Sequence, residues 1–342
     1  MFWLAACSWT SSCGGGPESP SLAGAGAPTV AGGTGHSSTS GGKSFAGAAP
    51  SPAGAGQSGS GAGDAIGSGS SGGGGASGSI SPSGGSTPTF PSVEGSLVLR
   101  LEHDFGIELS ADKLSAWRDR SAKHNDALQG DAKLQPSIKG LNGLMLPSFS
   151  GKANPKSTDG SGGPYLRVKD SDSLHWGTGD FAILVVVAYD NALDGTHNGG
   201  FGAFFGKFGT PELLFTGNWT WSETQERSKL HLGFGERAPG FETKQEGFND
   251  GKLRLVAAVR AGDRANVRVN AVDLGGVNGV GHQDVSAPHV DAAIGSLSGT
   301  QALRCLRGQI AAVVALAGPK TNADLSRVET YLMSKYPLAP LP

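Results

Sequence analysis

Residues 14–89 are built almost entirely from Gly, Ser, Ala, Pro and Thr. This stretch contains three charged residues, and Phe45 is its one Phe, Trp or Tyr. Folding must offset roughly 1–2 kcal/mol of backbone entropy per residue, and so few apolar side chains cannot do this. We therefore predict a disordered linker over residues 8–92, with a root-mean-square reach on the order of 50 Å.

The composition changes at about Val93, where short apolar runs begin and charges of both signs are mixed among them. The longest apolar run, "FAILVVVAY" at Phe181–Tyr189, has the length and β-branched content of a buried strand and is too short to span a bilayer. The formal net charge of −2 does not provide the basic surface that recruits nucleic acid. We predict one domain over residues 93–342.

Short apolar segments separated by Gly, Asn, Asp and Pro predict many strands in this domain. In "SLVLRLE", the alternation of Leu97, Leu99 and Leu101 predicts that these three side chains share one face. The other predicted strands are "GLMLPSF", "PYLRV", "FAILVVVAY", "GAFFGKF", "ELLFTG", "KLHLGFG", "LRLVAAVR", "NVRVNAV" and "GQIAAVVAL". Without helical patterns between them, they indicate an all-β antiparallel sandwich.

One amphipathic helix is predicted at the C-terminal end of the domain. Thr321 and Asp324 resemble a capping box, and Pro337 marks the end of the helix. Between them, apolar residues recur at the spacing of a single helical face: Leu325, Val328 and Leu332.

Six segments in order resemble laminin-G-like domains, which belong to the concanavalin A-like lectin/glucanase group. They are "AWRDRSAKHNDALQ", "GLNGLMLPSFSG", "YLRV", "FAILVVVAY", "LRLVAAVRAGDRANVRVNA" and "GQIAAVVALAGPKTNADLSRVETYLMSKYPL". The resemblance covers Leu97–Leu338 and implies a jelly-roll β-sandwich. It departs from the family at Ala312, where Glu is usual, and at Leu316, where Tyr is usual. The central stretch "GNWTWSETQERSK" has no counterpart in the family pattern.

The segment "AWRDRSAKHNDALQ" can be interpreted in two ways. The resemblance makes it a structural corner, in which Trp117 fills the sandwich edge and short polar side chains bond nearby backbone N–H groups. The alternative is a Ca²⁺ site built from the oxygens of Asp119, Asn125 and Asp126, because calcium prefers hard oxygen ligands. The basic residues interleaved with these acids favour the corner.

The N-terminal sequence "LAAC" resembles the lipobox of bacterial lipoproteins, which makes Cys7 a candidate lipid anchor. A Gly/Ser-rich spacer directly after the cysteine fits such an anchored domain. Residues 1–7 are shorter than a signal peptide requires, so we expect either a start upstream or an accidental match. The lipoprotein interpretation predicts an exported protein, held at the outer membrane or cell surface, or secreted, that meets membrane only through its lipid.

The motifs of the common hydrolase classes are absent from the sequence. The E-x-D-x-x-E pattern of laminarinase-like relatives, the H-E-x-x-H spacing of zinc proteases and the G-x-S-x-G elbow do not occur. We therefore expect no catalytic residues and no cofactor apart from the possible Ca²⁺.

The stretch "GNWTWSE" is the strongest candidate for ligand binding. Trp219 and Trp221, two residues apart, would leave the same face of a strand, and sugar rings stack on indoles. Asn218 could bond a hydroxyl, and Trp176 is a further candidate. The alternative is that these rings pack in the core. We expect a non-catalytic module that binds carbohydrate or another extracellular polymer. The rival hypotheses are a protein-binding adhesion module and, more remotely, a glycoside hydrolase.

Overall fold

The computed structural model describes residues 88–93, 95–151, 163–190, 202–209, 212–217, 228–234, 240–300, 304–318 and 322–342. They belong to one compact unit that extends from Ile80 to Pro342. Within them lie seventeen strands, a 3₁₀ helix at Asp172–Leu174 and one α-helix.

The first nine strands are β1 Leu97–Glu102, β2 Ile107–Ser110, β3 Lys113–Trp117, β4 Ala127–Leu128, β5 Ser137–Leu141, β6 Leu144–Ser150, β7 Leu166–Val168, β8 Phe181–Tyr189 and β9 Gly202–Lys207. The remaining elements are β10 Leu213–Gly217, β11 Leu230–Gly233, β12 Phe241–Glu242, β13 Leu253–Ala261, β14 Arg264–Val269, β15 Val272–Asn278, β16 Ala292–Ile294, β17 Arg307–Ala317 and the helix α1 Asn322–Lys335. All ten strands predicted from the sequence are present.

The strands form two antiparallel layers. In the first, β1, β17, β8, β13, β14 and β15 pair in that order, and the hairpin β5–β6 joins the beginning of β17. In the second, the order is β2, β3, β4, β7, β16, β9, β10, β11 and β12. The predicted all-β antiparallel fold with one C-terminal helix is therefore confirmed.

Strand β8 shows why its sequence is apolar at every position. Its odd-numbered residues point into the core between the two layers, where they join aromatic rings of the second layer such as Phe204 and Phe215. Its even-numbered residues point to the outer face and pack against the helix. Because both faces are covered, an antiparallel strand here needs no polar alternation.

Helix α1 packs on the outer face of the first layer through the predicted stripe Leu325, Val328 and Leu332, with Tyr331 added. Thr321, the predicted cap, lies outside the described residues. Among the described residues, no helix combines the length and the apolar character needed to cross a bilayer.

The predicted shared face of Leu97, Leu99 and Leu101 is wrong for Leu97. Leu99 and Leu101 lie in the core between the layers, whereas Leu97 packs with the residues beneath the helix. The cause is a register shift against β17 between Leu97 and Leu99. An extra residue in a strand moves the following side chains to the opposite face.

Candidate functional site

The predicted corner is organised around the carboxylate of Asp119. Its Oδ1 accepts hydrogen bonds from the backbone N–H groups of Arg100 and Ser121, both at 2.8 Å. Its Oδ2 accepts a bond from the backbone N–H of Asn125 at 2.8 Å and one from the Ser121 hydroxyl at 2.5 Å. One buried side chain thus ties β1 to the loop after β3, which is how a buried loop satisfies its backbone donors.

The two other candidate calcium ligands also have hydrogen-bond partners. Asp126 accepts bonds from the backbone N–H of Asp119 at 2.8 Å and from Arg118 Nη1 at 2.7 Å. Asn125 Nδ2 donates to the Val98 carbonyl at 2.7 Å, and Asn125 Oδ1 accepts a bond from a serine hydroxyl. Within the described residues, no cluster of three or more His, Cys, Asp or Glu side chains is arranged to hold a metal ion. The calcium site stays a prediction, tested below.

Trp117 and Trp176 both lie in the core. Trp117 is fully buried, and its indole Nε1 donates to the carbonyl of Glu102 at 3.0 Å. Trp176 is 6% exposed and stacks on Phe181, with ring centroids 5.1 Å apart. Because its ring faces this aromatic cluster, we do not include Trp176 in the site proposed below.

The remaining predicted site residues lie outside the part of the chain that the structure describes. They are Asn218, Trp219, Trp221 and the candidate lipid anchor Cys7. Strand β10 ends at Gly217, directly before this stretch, where a Cβ atom would meet the ring of Tyr189 at 2.5 Å. Tyr189 is the last residue of β8, at the end of the sandwich that also carries the cleft described below.

A buried lysine, for which the sequence analysis predicts no role, lies at the end of β9. Lys207 is 1% exposed, and its Nζ donates to Asp170 Oδ1 at 3.0 Å and to the carbonyls of Leu174 and Ser286. Burial lowers the pKa of Lys207. An ammonium group has three donors, and these three acceptors use all of them. The arrangement is therefore a structural tie between loops, with no donor left over for a substrate.

A polar cleft of about 560 Å³ opens on the outer face of the first layer, where β5, β6, β17 and the end of β8 meet. Its polar lining comes from segments that are far apart in the sequence: Lys139, Ser148, Ser150, Asp190, Arg307 and Gln309. No sequence motif connects these residues. The only sequence signal is a pair of polar residues two apart within an otherwise apolar strand, as in "PSFS" and "LRGQI".

Strand register explains how these side chains come together. Arg307 pairs with Ser150, and Gln309 pairs with Ser148 on one side and with Ala188 on the other. The residue between them, Gly308, pairs with the core residues Phe149 and Tyr189. Since alternate residues of a strand point to opposite faces, Arg307 and Gln309 must point outward, away from that core.

Glycine at position 308 is required by the close approach of β8. Gly308 has a φ of 153°, and a Cβ atom there would lie 2.3 Å from the carbonyl oxygen of Ala188. Gly151, at the rim of the same cleft, would place a Cβ 2.5 Å from the carbonyl oxygen of Cys305. A side chain at either position would force the backbone apart, so the floor of the cleft depends on both glycines.

The electrostatics of the cleft are mixed. Arg307 Nε lies 3.7 Å from Asp190 Oδ2, and Gln309 Nε2 donates to the Lys139 carbonyl at 3.1 Å. The Lys139 side chain is exposed and has no ion-pair partner among the described residues. Asp190 is the one carboxylate among the described residues of the lining. Such a surface offers hydrogen-bond donors and acceptors to a polar ligand.

No protein-family model matches the sequence, and no curated protein matches it. Similar solved structures include the binding domain of Paraclostridial Mosquitocidal Protein 1, with a TM-score of 0.47 and 11% identity over 70% of this chain and 52% of that chain. A structure of botulinum neurotoxin type C, a toxin that interacts with two ganglioside molecules, gives a TM-score of 0.47 and 9% identity over 70% and 52% of the two chains.

A third similar structure is domain 4 of AbnA, a GH43 extracellular arabinanase from Geobacillus stearothermophilus, in complex with arabinotriose. Its TM-score is 0.43, with 13% identity over 69% of this chain and 97% of that chain. The present chain spans about half the length of the two toxin chains that it matches. At TM-scores below 0.5, these similarities establish neither a shared family nor a shared ligand.

Proposed function

We propose that this protein is a non-catalytic binding module that recognises carbohydrate, or another hydroxyl-rich extracellular polymer, in the cleft between β6, β17 and the end of β8. The observation that carries the proposal is the lining of the cleft. It combines an amide, two hydroxyls, a carboxylate and two cations on a floor held open by glycines. A few polar groups at fixed positions on rigid strands are what a polar ligand requires.

A binding role fits the charges of the cleft better than glycoside hydrolysis does. Hydrolysis uses two carboxyl groups on either side of the scissile bond, at about 5–5.5 Å in retaining enzymes and about 6.5–9.5 Å in inverting enzymes. Among the described residues that line the cleft, Asp190 is the only acid, and Arg307 is beside it. One carboxyl group in the described lining does not provide the pair that hydrolysis uses.

The tryptophan stretch extends this proposal beyond the described residues. Gly217, the residue before Asn218, packs against the core-facing ring of Tyr189, at the same end of β8 as Asp190, which lines the cleft on the outer face. We include Trp219 and Trp221 in the proposed site as stacking platforms for sugar rings. We also propose that the domain is displayed outside the cell, secreted or tethered through Cys7 and the Gly/Ser-rich residues 8–92.

A glycan array probed with the full chain tests the proposal, together with Gln309→Ala and a matched control, Gln245→Ala. Each glutamine donates one amide hydrogen bond to a backbone carbonyl, but only Gln309 lines the cleft. Loss of a ligand hydrogen bond should weaken binding about tenfold, or roughly 1.4 kcal/mol, in Gln309→Ala. The control should bind like the wild type.

The variants Trp219→Ala and Trp221→Ala complete the set. Losing a stacking platform should reduce affinity at least tenfold, because a stacked ring contributes contact area as well as orientation. Wild-type binding by Gln309→Ala would remove the cleft from the proposal, and wild-type binding by both tryptophan variants would remove the stretch. Absence of binding to every glycan would contradict the carbohydrate hypothesis and favour the protein-binding alternative.

A further inference from the structure

The segment Pro337–Pro342, which follows helix α1, lies against the end of the sandwich and is neither helical nor a strand. Three of its six residues are prolines, which have no backbone N–H to donate to a sheet. The segment therefore offers mainly carbonyl oxygens and makes a poor additional strand. A surface that holds it must supply hydrogen-bond donors from side chains.

Three side chains supply these donors. In each pair a side-chain nitrogen donates to a backbone carbonyl of the segment: Asn270 to Ala339 at 2.8 Å, Arg254 to Pro340 at 2.9 Å and Gln245 to Pro342 at 2.7 Å. The Ala339 N–H adds a backbone bond of 2.8 Å to the carbonyl of Leu253 on β13. The segment is thus held chiefly by side chains that contact its carbonyls, which is a way of recognising proline-rich peptides.

Two of the donors are held in place by the sandwich itself. Arg254 is 3% exposed, and its guanidinium bonds both oxygens of Asp250, at 2.6 and 2.9 Å. The side-chain oxygen of Asn270 accepts a bond from the Leu255 N–H at 3.1 Å. Because these contacts do not involve the segment, both donors keep their positions when the segment leaves.

The surface also fits the side chains of the segment. Gly247 has a φ of 91°, and a Cβ there would lie 2.9 Å from the Cβ of Pro342. Leu338 packs with the residues beneath the helix, and Leu341 packs against the core between the layers. We use the name proline groove for the four residues Gln245, Gly247, Arg254 and Asn270.

We propose that the proline groove is a peptide-recognition site, which the chain's own residues Pro337–Pro342 occupy in cis and which a proline-rich segment of a partner protein occupies by exchange. The partner segment has the same chemistry: two leucines three residues apart, prolines beside them, and carbonyls that face the three donors. Exchange requires only local opening, because the segment is not part of the strand pairing. The groove shares no residue with the cleft, so the inference is independent of carbohydrate binding.

Hydrogen exchange of the full wild-type chain tests whether the segment opens by itself. The Ala339 N–H should exchange at least about 100-fold faster than the N–H groups of β13, because local opening leaves the sheet paired. Gln245→Ala should raise the Ala339 rate about three- to tenfold, since one bond to the segment is lost. Exchange of Ala339 as slow as that of β13 would mean that the segment leaves only on global unfolding, and would overturn the proposal.

A fluorescein-labelled peptide of sequence PLAPLP tests binding in trans by fluorescence anisotropy. The full wild-type chain is compared with the double variant Leu338→Ser/Leu341→Ser, which weakens the cis segment and keeps its length. The double variant should bind the peptide at least about tenfold more tightly, because the intact segment competes at a high effective concentration in the wild type. The peptide PSAPSP, without leucines, is the control and should bind neither chain.

Gln245→Ala and its matched control Gln283→Ala, each added to the double variant, assign the binding to the groove. The Gln245 amide contacts the segment, whereas the Gln283 amide bonds the ring of His282. Gln245→Ala should weaken peptide binding about three- to tenfold, and Gln283→Ala should leave it unchanged. Equal peptide affinity with and without Gln245→Ala, or equal affinity of the wild type and the double variant, would overturn the peptide site. Neither result bears on glycan binding in the cleft, which is measured separately.

Discussion

The hydroxyl of Tyr331 on helix α1 donates a 2.6 Å hydrogen bond to Oε1 of Glu102 on β1. Glu102 is fully buried, and the same oxygen accepts a bond from Lys335 Nζ at 2.9 Å. Arg100 Nη2 lies 2.5 Å from Oε2, the other carboxylate oxygen of Glu102. A buried carboxylate is stable only when it is paired and hydrogen bonded, so this cluster fixes where the C-terminal helix sits on the sheet.

The variant Tyr331→Phe should lower the free energy of unfolding by about 1.5–3 kcal/mol, because a hydrogen bond to a charged, buried group is lost. Urea denaturation measures the change. Met333→Ala, on the exposed side of the same helix, is the control and should stay within about 0.5 kcal/mol of the wild type. Equal stability of Tyr331→Phe and the wild type would contradict a role for this bond in docking the helix.

Asp119→Ala should destabilise the domain by at least about 3 kcal/mol. The change leaves three backbone N–H groups without their acceptor, and each unsatisfied buried donor costs about 1–3 kcal/mol. Asp172→Ala is the control, because the Asp172 side chain is fully exposed, and its unfolding transition should be nearly unchanged. A similarly small effect of Asp119→Ala would contradict the corner interpretation.

Calcium distinguishes the two interpretations of this corner. If Asp119 serves only to accept hydrogen bonds within the corner, calcium does not bind there. The melting temperature of the wild type should then be the same in 5 mM Ca²⁺ as in EDTA, to within about 1 °C. A ligand present at about 100 times its dissociation constant would add about 2.7 kcal/mol of stability. A clear rise in melting temperature that Asp119→Ala abolishes would establish the calcium site instead.

Gly308→Ala should lower the free energy of unfolding by about 2–4 kcal/mol. A Cβ at this position would lie 2.3 Å from the carbonyl oxygen of Ala188, and the φ of 153° at Gly308 is strained for any residue other than glycine. Gly130→Ala is the matched control: nothing lies within 4 Å of its added Cβ, so stability should hold to within about 1 kcal/mol. Two variants of equal stability would show that β8 and β17 can separate freely at the cleft.

His231 on β11 should make stability depend on pH. Burial lowers its pKa to about 4, with a smaller contribution from the charge of Arg304. In the unfolded chain the pKa is about 6.5, so between these values only the unfolded state binds the proton. Stability is therefore complete above about pH 6.5 and falls as the pH drops toward 4, by up to about 1.4 kcal/mol per pH unit.

Urea denaturation at several pH values, with the variant His231→Gln, checks this dependence. The variant should lose less stability than the wild type between pH 7 and 4.5, because it has no proton to take up on unfolding. The exposed His282 provides the control, and His282→Gln should keep the wild-type slope. Parallel curves for wild type and His231→Gln would show that another group produces the dependence.

Cys7 is predicted to carry lipid. Bacteria that express the chain behind a complete signal segment ending in "LAAC" should incorporate labelled palmitate into the wild type and into Cys13→Ser, but not into Cys7→Ser. The reason is that lipoprotein processing modifies the cysteine directly after the small-residue site. Equal labelling of wild type and Cys7→Ser would exclude Cys7 as the anchor.

The local sequence determined much of the fold. The sequence predicted ten of the seventeen described strands and the helix. The signals were the nine-residue apolar run of β8, the helical stripe at Leu325, Val328 and Leu332, and the Gly, Asn and Asp residues between the apolar segments. These signals depend on residues that are neighbours in sequence, so no tertiary contact was needed to find them. The alternation of apolar residues predicted the wrong face for Leu97, because the bulge beside it depends on the register with the partner strand β17.

The cleft was decided only by the tertiary structure. Lys139, Asp190 and Gln309 are dozens of residues apart or more, and their approach depends on which strands pair and in which register. The hydrogen bond between Glu102 and Tyr331 joins residues 229 positions apart, and no sequence pattern predicts it either. The alternation of side chains along a strand determines which face of the sheet a residue occupies. Which residues lie beside it on that face depends on strand pairing and register, and the cleft is formed by such neighbours.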